Sequence, residues 1–358
     1  MKRLSLKQRV LIELNRKVKE ERRRVHVLRQ LFWECTWRCN LSCRHCGSDC
    51  KSSSAVPDMP GADFIKVVDS LLPNVDRHRL NIIITGGEPL VRRDIEEVGR
   101  QLYDREIPWG IVTNGLLLSE ERLLSLRRAG LHNITISLDG LEEDHNWMRC
   151  HPQSFRRAYE AIKRVVAASD LNFDVVTCVN RRSLSRLDEL KQLLVTAGVK
   201  RWRLFTVFPA GRAAQYPEFE LDDAELERLM EFIKATRKEG LIHASFCCEG
   251  FMGGYEGEIR DYFFDCSAGV NVASVLLDGS IGACPSIRAD YTQGNIYRDD
   301  FWTVWQERFK PYRDRSWMRR GVCADCSMWR HCEGNGMHLR DGEGNLLHCH
   351  LLKSSSHS

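Results

Sequence analysis

The chain has no run of 18 uncharged apolar residues, so no segment is built to cross a membrane as a helix. Its basic N-terminus is interrupted by Lys and Arg throughout and is followed by no small-residue cleavage site, which excludes a secretory leader. There is no internal repeat, and only Ser354-Ser355-Ser356 reads as low complexity, within a disordered tail over 354–358. Beyond the first 30 residues no basic stripe alternates with aromatics, so nucleic acid is not an expected partner. What is left is a globular composition, 43% hydrophobic and 28% charged, in 358 residues. That is enough chain for one large domain and a smaller one.

On these grounds the protein is expected in the cytoplasm, where its 15 cysteines would not form a disulfide framework. Isolated thiols such as Cys150 and Cys178 suit core packing. Thiols grouped at spacings of two, three and five residues instead point to metal or redox chemistry. The charge is uneven too. Residues 1–30 carry eleven Lys and Arg against Glu13, Glu20 and Glu21, while the remainder is net acidic. Leu4, Leu11, Leu14 and Val18 fall among these charges at near-helical spacing, so 1–26 reads as a basic amphipathic helix. A solvated helix packed on the main domain is the expected role. Membrane contact, if any, would come only through this helix.

From residue 27 a strand–helix alternation begins, which argues for an α/β fold with parallel strands. Strands are expected at 28–33, 80–85, 107–113, 133–138, 173–179 and 202–207. Helices are expected at 62–72, 93–103, 119–129, 155–168 and 187–196, with Ser119 as an N-cap. Six βα units over 27–240 suggest a partial (β/α)6 TIM-like barrel, whose chemistry belongs in the loops after the strands. A further helix is expected at 221–238, a Gly-rich linker at 250–257, and a hairpin with a type I′ turn at Asp278-Gly279. Residues 241–353 are poor in long apolar segments and rich in Cys and His, as a small metal-stapled domain would be.

The loop after the first strand holds Cys39, Cys43 and Cys46. Three thiolates at this spacing can ligate three irons of a cubane and leave the fourth iron open to a ligand. Zinc would recruit four ligands, and adjacent His45 and Cys46 rarely converge on one ion. The second constellation is Cys266, Cys284, Cys323, Cys326, Cys332 and Cys349, for which a zinc ribbon is the competing reading on spacing alone. His331, His338, His348 and His350 are left unassigned.

The C-x3-C-x2-C loop resembles that of the radical SAM superfamily, and further motifs fall in matching order. Gly86-Gly87-Glu88-Pro89 resembles the GGEP motif, whose backbone and glutamate would hold the amino group of S-adenosylmethionine. Thr113-Asn114-Gly115 resembles a companion motif, with Asn114 on the cofactor side. Ser137 and Arg149 match positions that meet the ribose and carboxylate, and Gly211-Arg212 matches the adenine side. The resemblance implies a [4Fe-4S] cluster with an open iron, S-adenosylmethionine, and formation of a 5′-deoxyadenosyl radical.

The C-terminal pattern resembles the SPASM extension, which implies one or two auxiliary [4Fe-4S] clusters. Cys323, Cys326, Cys332 and Cys349 match one complete ligand set. Cys266 and Cys284 belong to the other, with Cys247 or Cys248 as a third upstream ligand, and Gly336 stands where relatives have a cysteine. The SPASM resemblance implies a peptide or protein substrate and an electron donor such as a flavodoxin or ferredoxin; the short basic start and the run Cys35-Thr36-Trp37-Arg38-Cys39-Asn40 resemble a branch found alongside a small lipoprotein, which makes a lipoprotein precursor the candidate substrate. A small-molecule radical cyclase of cofactor biosynthesis, or a non-enzymatic iron–sulfur carrier or sensor, are the alternatives. No general base stands out.

Overall fold

The computed structural model describes residues 4–207, 209–247 and 250–351. Cys248 and the expected tail at 354–358 lie outside the described residues. The framework is one sheet containing β1 (Gln30–Glu34), β2 (Asn81–Thr85), β3 (Trp109–Thr113), β4 (Leu131–Ser137), β5 (Asn172–Val179), β6 (Arg201–Thr206) and β7 (His243–Phe246). It is completed by β8 (Val272–Val275), β9 (Ser280–Gly282) and β10 (Gly294–Asn295), in the order β10-β9-β8-β1-β2-β3-β4-β5-β6-β7. The six expected βα units are β1 to β6. One parallel strand extends them on each side, with β8 pairing to β1 and β7 to β6. Among the described residues no pairing joins β7 to β8, so the barrel stays open.

Alternation along the strands sorts side chains between two faces. Leu31, Trp33, Ile82, Ile84, Ile134 and Ile136 are buried. They face the surrounding helices α2 (Gly61–Leu71), α3 (Ile95–Asp104), α4 (Glu120–Arg128), α5 (Glu142–Arg149) and α6 (Ser154–Ala167). The intervening residues point inward, and many are polar: Gln30, Asn81, Asn133, Thr135, Asp174 and Arg203 line a lumen of about 360 Å³. A closed barrel fills this space with branched apolar side chains. Here it is kept as a cavity.

The outer helices continue with α7 (Arg181–Leu184), α8 (Leu187–Thr196) and α9 (Asp223–Glu239). Ser119 caps α4 as expected, its Oγ accepting from Arg122 N at 3.1 Å. Two local expectations are corrected. The Gly-rich stretch at 250–257 is not a linker but core, with Phe251, Met252, Tyr255 and Glu256 each at most 2% exposed. The hairpin joining β8 to β9 forms, but its turn is not type I′. That turn needs positive φ at Asp278 as well as Gly279, and only Gly279 has it, at +83°.

The N-terminal helix α1 (Leu6–Val25) forms with a Ser5 capping box. It does not pack on the barrel helices. It lies on the C-terminal part of the chain, where Gln8 donates to Gly254 O at 2.7 Å and Lys19 to His331 O at 3.0 Å.

Candidate active site

The three cysteines sit in the loop leaving β1, and that loop is clamped from three directions. From the β2 side, Gly87 N donates to Thr36 O at 2.7 Å and Glu88 N to Arg38 O at 2.9 Å. A Cβ on Gly86 would fall 2.3 Å from Thr36 O, and one on Gly87 would fall 2.2 Å from Arg38 O. Both glycines are therefore required by the approach of the cysteine loop itself. From α5, Met148 O accepts from Arg44 N at 2.9 Å. After β6, Arg212 donates through its backbone to Cys46 O and through Nε to Cys43 O, at 2.9 and 2.8 Å. Gly211, at φ +57°, lets that segment close on Cys46 and Gly47. Arg212 thus grips the cysteine loop, a role its motif position did not reveal.

Glu88 is also tied to the protein around it. It is 1% exposed. One carboxylate oxygen accepts from Thr113 Oγ1 at 2.8 Å and Leu90 N at 3.1 Å, the other from Asn114 N at 2.8 Å. Burial raises its pKa, and those three donors oppose the rise. These bonds tie the β2 loop to the β3 loop. Asn114 is held in turn: its Nδ2 donates to Asn40 Oδ1 at 2.8 Å and lies 4.0 Å from Cys39 Sγ. Pro89 is buried and opens the short turn that follows Glu88. One network thus runs from Glu88 through Asn114 and Asn40 to the first cysteine.

On the opposite rim, Arg149 bridges Asp139 and the second cysteine. Its Nε donates to Asp139 Oδ2 at 2.6 Å, and its Nη1 lies 3.8 Å from Cys43 Sγ. Burial alone would raise the Asp139 carboxyl, but the Arg149 guanidinium beside it holds it well below the usual range. Burial lowers His45 to about 4 and His145 to about 3, so both rings are neutral at physiological pH. Ser137 closes β4 beside this group, paired with Val176. Asp139, His45 and Arg212 were not singled out from sequence as holding this rim; only their convergence in the fold marks them.

These residues fit an iron–sulfur cluster. Burial pushes the Cys39 thiol up to about 12 and raises Cys43 as well. Coordination to iron is what makes thiolate tenable there. Asn40 Nδ2 and His45 Nδ1 are buried in the same loop with no hydrogen-bond partner, which leaves donors for cluster sulfide or cofactor.

In the C-terminal third, Cys323, Cys326, Cys332 and Cys349 line one enclosed cavity with Trp329, Asn335 and Leu346. Three successive residues after Cys332 have left-handed backbones: Glu333 at φ +52°, Gly334 at +84° and Asn335 at +71°. The buried Arg340 holds that turn, donating to Gly334 O at 2.9 Å and to Cys323 Sγ at 3.5 Å. Zinc needs four sulfurs at about 2.3 Å from one ion, hence within about 4 Å of one another. Among the described residues only His45, Asp139 and Cys178 bring three such ligand atoms within 4.8 Å, so these four cysteines are not drawn together as a zinc ribbon requires. Cys266 lies close enough to Cys284 and to the buried Tyr312 to help raise the pKa of both, burial being the larger cause. Cys247 instead lines the barrel lumen, where it accepts a hydrogen bond from Arg203. The C-terminal part also reaches the barrel mouth, as Arg288 donates to the buried Glu34 at 2.9 Å.

An open parallel barrel with a three-cysteine loop at its mouth and a four-cysteine cavity beside it defines a multi-cluster iron–sulfur enzyme. The chain belongs to the radical SAM superfamily: that family matches residues 33–194, and the SPASM iron-sulfur cluster-binding domain matches residues 266–327. It is similar to the AdoMet-dependent heme synthase of Methanosarcina barkeri, 27% identical over 327 residues, which covers 86% of this chain and 90% of the relative. It is also similar to the mycofactocin maturase MftC of Mycolicibacterium smegmatis, 29% identical over 313 residues, covering 86% and 77%. Among solved structures, anSMEcpe with bound AdoMet superposes with a TM-score of 0.69 at 19% identity, over 87% of this chain and 90% of that one. SuiB of Streptococcus suis bound to S-adenosylmethionine gives 0.67 at 18%, over 86% and 72%. The protein is thus a radical SAM/SPASM enzyme that binds iron–sulfur clusters and S-adenosylmethionine. No helix among the described residues is long and apolar enough to cross a membrane.

Proposed function

We propose that this enzyme acts on a peptide or protein, with Cys39, Cys43 and Cys46 holding the open cluster. Gly86 and Gly87 present backbone to S-adenosylmethionine, Ser137 and Arg149 meet its ribose and carboxylate, and Glu88, Pro89 and Asn114 hold those groups in register. Cys323, Cys326, Cys332 and Cys349 hold an auxiliary cluster, and Cys266 with Cys284 contributes to a second. When bound, the open cluster and its cofactor supply a 5′-deoxyadenosyl radical. The chain's own residues fix the cysteine loop, position the cofactor and shape the space beneath it. A flavodoxin or ferredoxin delivers the electron, in the reducing cytoplasm.

The observation that carries the peptide reading is the SPASM match over residues 266–327 together with the likeness to a mycofactocin maturase, 29% identical over 313 residues. The heme synthase relatives supply the competing reading, a small-molecule tetrapyrrole. The two separate in one assay. Anaerobically reconstituted protein is given S-adenosylmethionine, a strong reductant and, in separate reactions, peptides encoded beside its own gene or an iron porphyrin. A peptide that raises 5′-deoxyadenosine formation and itself changes mass supports the proposal. Stimulation by the iron porphyrin alone overturns it.

A further inference from the structure

An amphipathic helix on a globular protein normally turns its apolar stripe inward. In α1 the order is reversed. The inward face is polar: Lys19, only 4% exposed, donates to His331 O, and Arg23 forms two bonds to Glu333 at 2.7 and 2.6 Å. Further along, Arg330 donates to Glu13 at 3.0 Å. Of the helix's apolar residues only Ile12 is buried. Leu6 is 79% exposed, Val10 54%, Leu14 55% and Val18 46%. These four recur every fourth position, making a row that winds across the outward face of a 20-residue helix. At 1.5 Å per residue the helix is about 30 Å long.

Basic side chains are interspersed with the row and lie beside it. Lys7, Arg9, Lys17, Arg22 and Arg24 are exposed, against Glu20 and Glu21. Beyond the helix end, Val25, Val27 and Arg29 continue the same composition along an open groove of about 700 Å³. The ion pairs on the inner face fix the helix about its axis, so the apolar line cannot turn inward.

We propose that the outer face of α1 is a docking surface for an anionic phospholipid membrane. An apolar row on a helix lying along a planar surface enters it, and the basic side chains around the row meet the negative headgroups. A second copy of the chain fits less well, because a two-fold contact would set basic rim against basic rim. The leucines and valines enter the interface while the barrel and the C-terminal domain remain in water.

The test uses the full, cluster-reconstituted chain in anaerobic co-sedimentation with vesicles of phosphatidylcholine, alone or with about 30% phosphatidylglycerol. Binding is expected on the phosphatidylglycerol vesicles only, and it should fall steeply as salt rises towards about 0.5 M. The double substitution Val10→Asp, Leu14→Asp should weaken it at least tenfold. Amide exchange over the inward residues should not change, since both altered side chains point to solvent. Absence of sedimentation with phosphatidylglycerol vesicles overturns the proposal. So does a dimer, seen by light scattering, that the same double variant dissociates while vesicles leave it intact. Binding that survives the double variant undiminished overturns it as well.

Discussion

Replacing Glu88 by Gln separates two accounts of the GGEP-like motif. In one, the carboxylate faces S-adenosylmethionine; in the other, it is a strut between the β2 and β3 loops. The structure gives both oxygens to Thr113, Leu90 and Asn114. Gln keeps the shape but turns one oxygen into an N–H donor. If its oxygen stays with Thr113 and Leu90, its amide nitrogen faces Asn114 N–H, donor against donor. Losing one charge-assisted bond and stranding a buried donor costs about 2 kcal/mol. At about 1.4 kcal/mol per tenfold, the local opening equilibrium rises about 30-fold. Hydrogen exchange on the protein without S-adenosylmethionine should therefore show Asn114 and its neighbours losing protection by about that factor. Iron content should hold, because the cysteines and their clamps remain. Weaker S-adenosylmethionine binding should appear as a consequence. Unchanged exchange at Asn114 together with a fall in S-adenosylmethionine affinity would refute the strut, since only a direct contact behaves that way.

Three further outcomes are expected. Replacing Cys39, Cys43 and Cys46 by Ala should abolish 5′-deoxyadenosine formation and remove about four irons per chain, with the auxiliary signal retained in electron paramagnetic resonance. Replacing Cys323, Cys326, Cys332 and Cys349 should remove about four more; iron and sulfide remaining beyond the first cluster would assign a second auxiliary centre to Cys266 and Cys284, and none remaining would deny it. Gly87→Ala should cost about 1–3 kcal/mol by forcing the loops apart at Arg38 O and should lower iron retention after gel filtration, whereas Gly342→Ala, with nothing within 4 Å of the new Cβ, should leave retention unchanged.

The strands and the cysteine motifs were legible because their signals are local. Period-two apolar runs marked β1 to β6, and the expected helix at 187–196 matches α8 residue for residue. What escaped depended on distant partners. β7 has four residues and is a strand because β6 lies beside it; β8 pairs with β1 across some 240 positions of chain. The stretch at 250–257 reads as a linker by its glycines. Yet Gly250 admits the Asn335 side chain while Phe251, Met252 and Tyr255 fill the core. The inverted seating of α1 was hidden for the same reason. Its amphipathic pattern gave two faces, but which face turns inward was decided by Glu333, Asp265 and the His331 carbonyl, all more than 200 residues away.

The candidate site adds a subtler point about motifs. Read along the chain, Gly86, Gly87, Glu88 and Asn114 look like a set of cofactor contacts. In space their first partners are one another and the cysteine loop: the glycines admit Thr36 and Arg38, Glu88 holds Asn114, and Asn114 holds Asn40 beside Cys39. This is what the chemistry demands. A radical generated at an open iron is useful only if the cofactor sits within a fraction of an ångström of one pose, and loops achieve that only when braced against each other. A motif shared across such enzymes then records two constraints together. One is contact with the cofactor. The other, served by the bonds of Glu88 to Thr113, Leu90 and Asn114, is the rigidity of the three strand ends that present it.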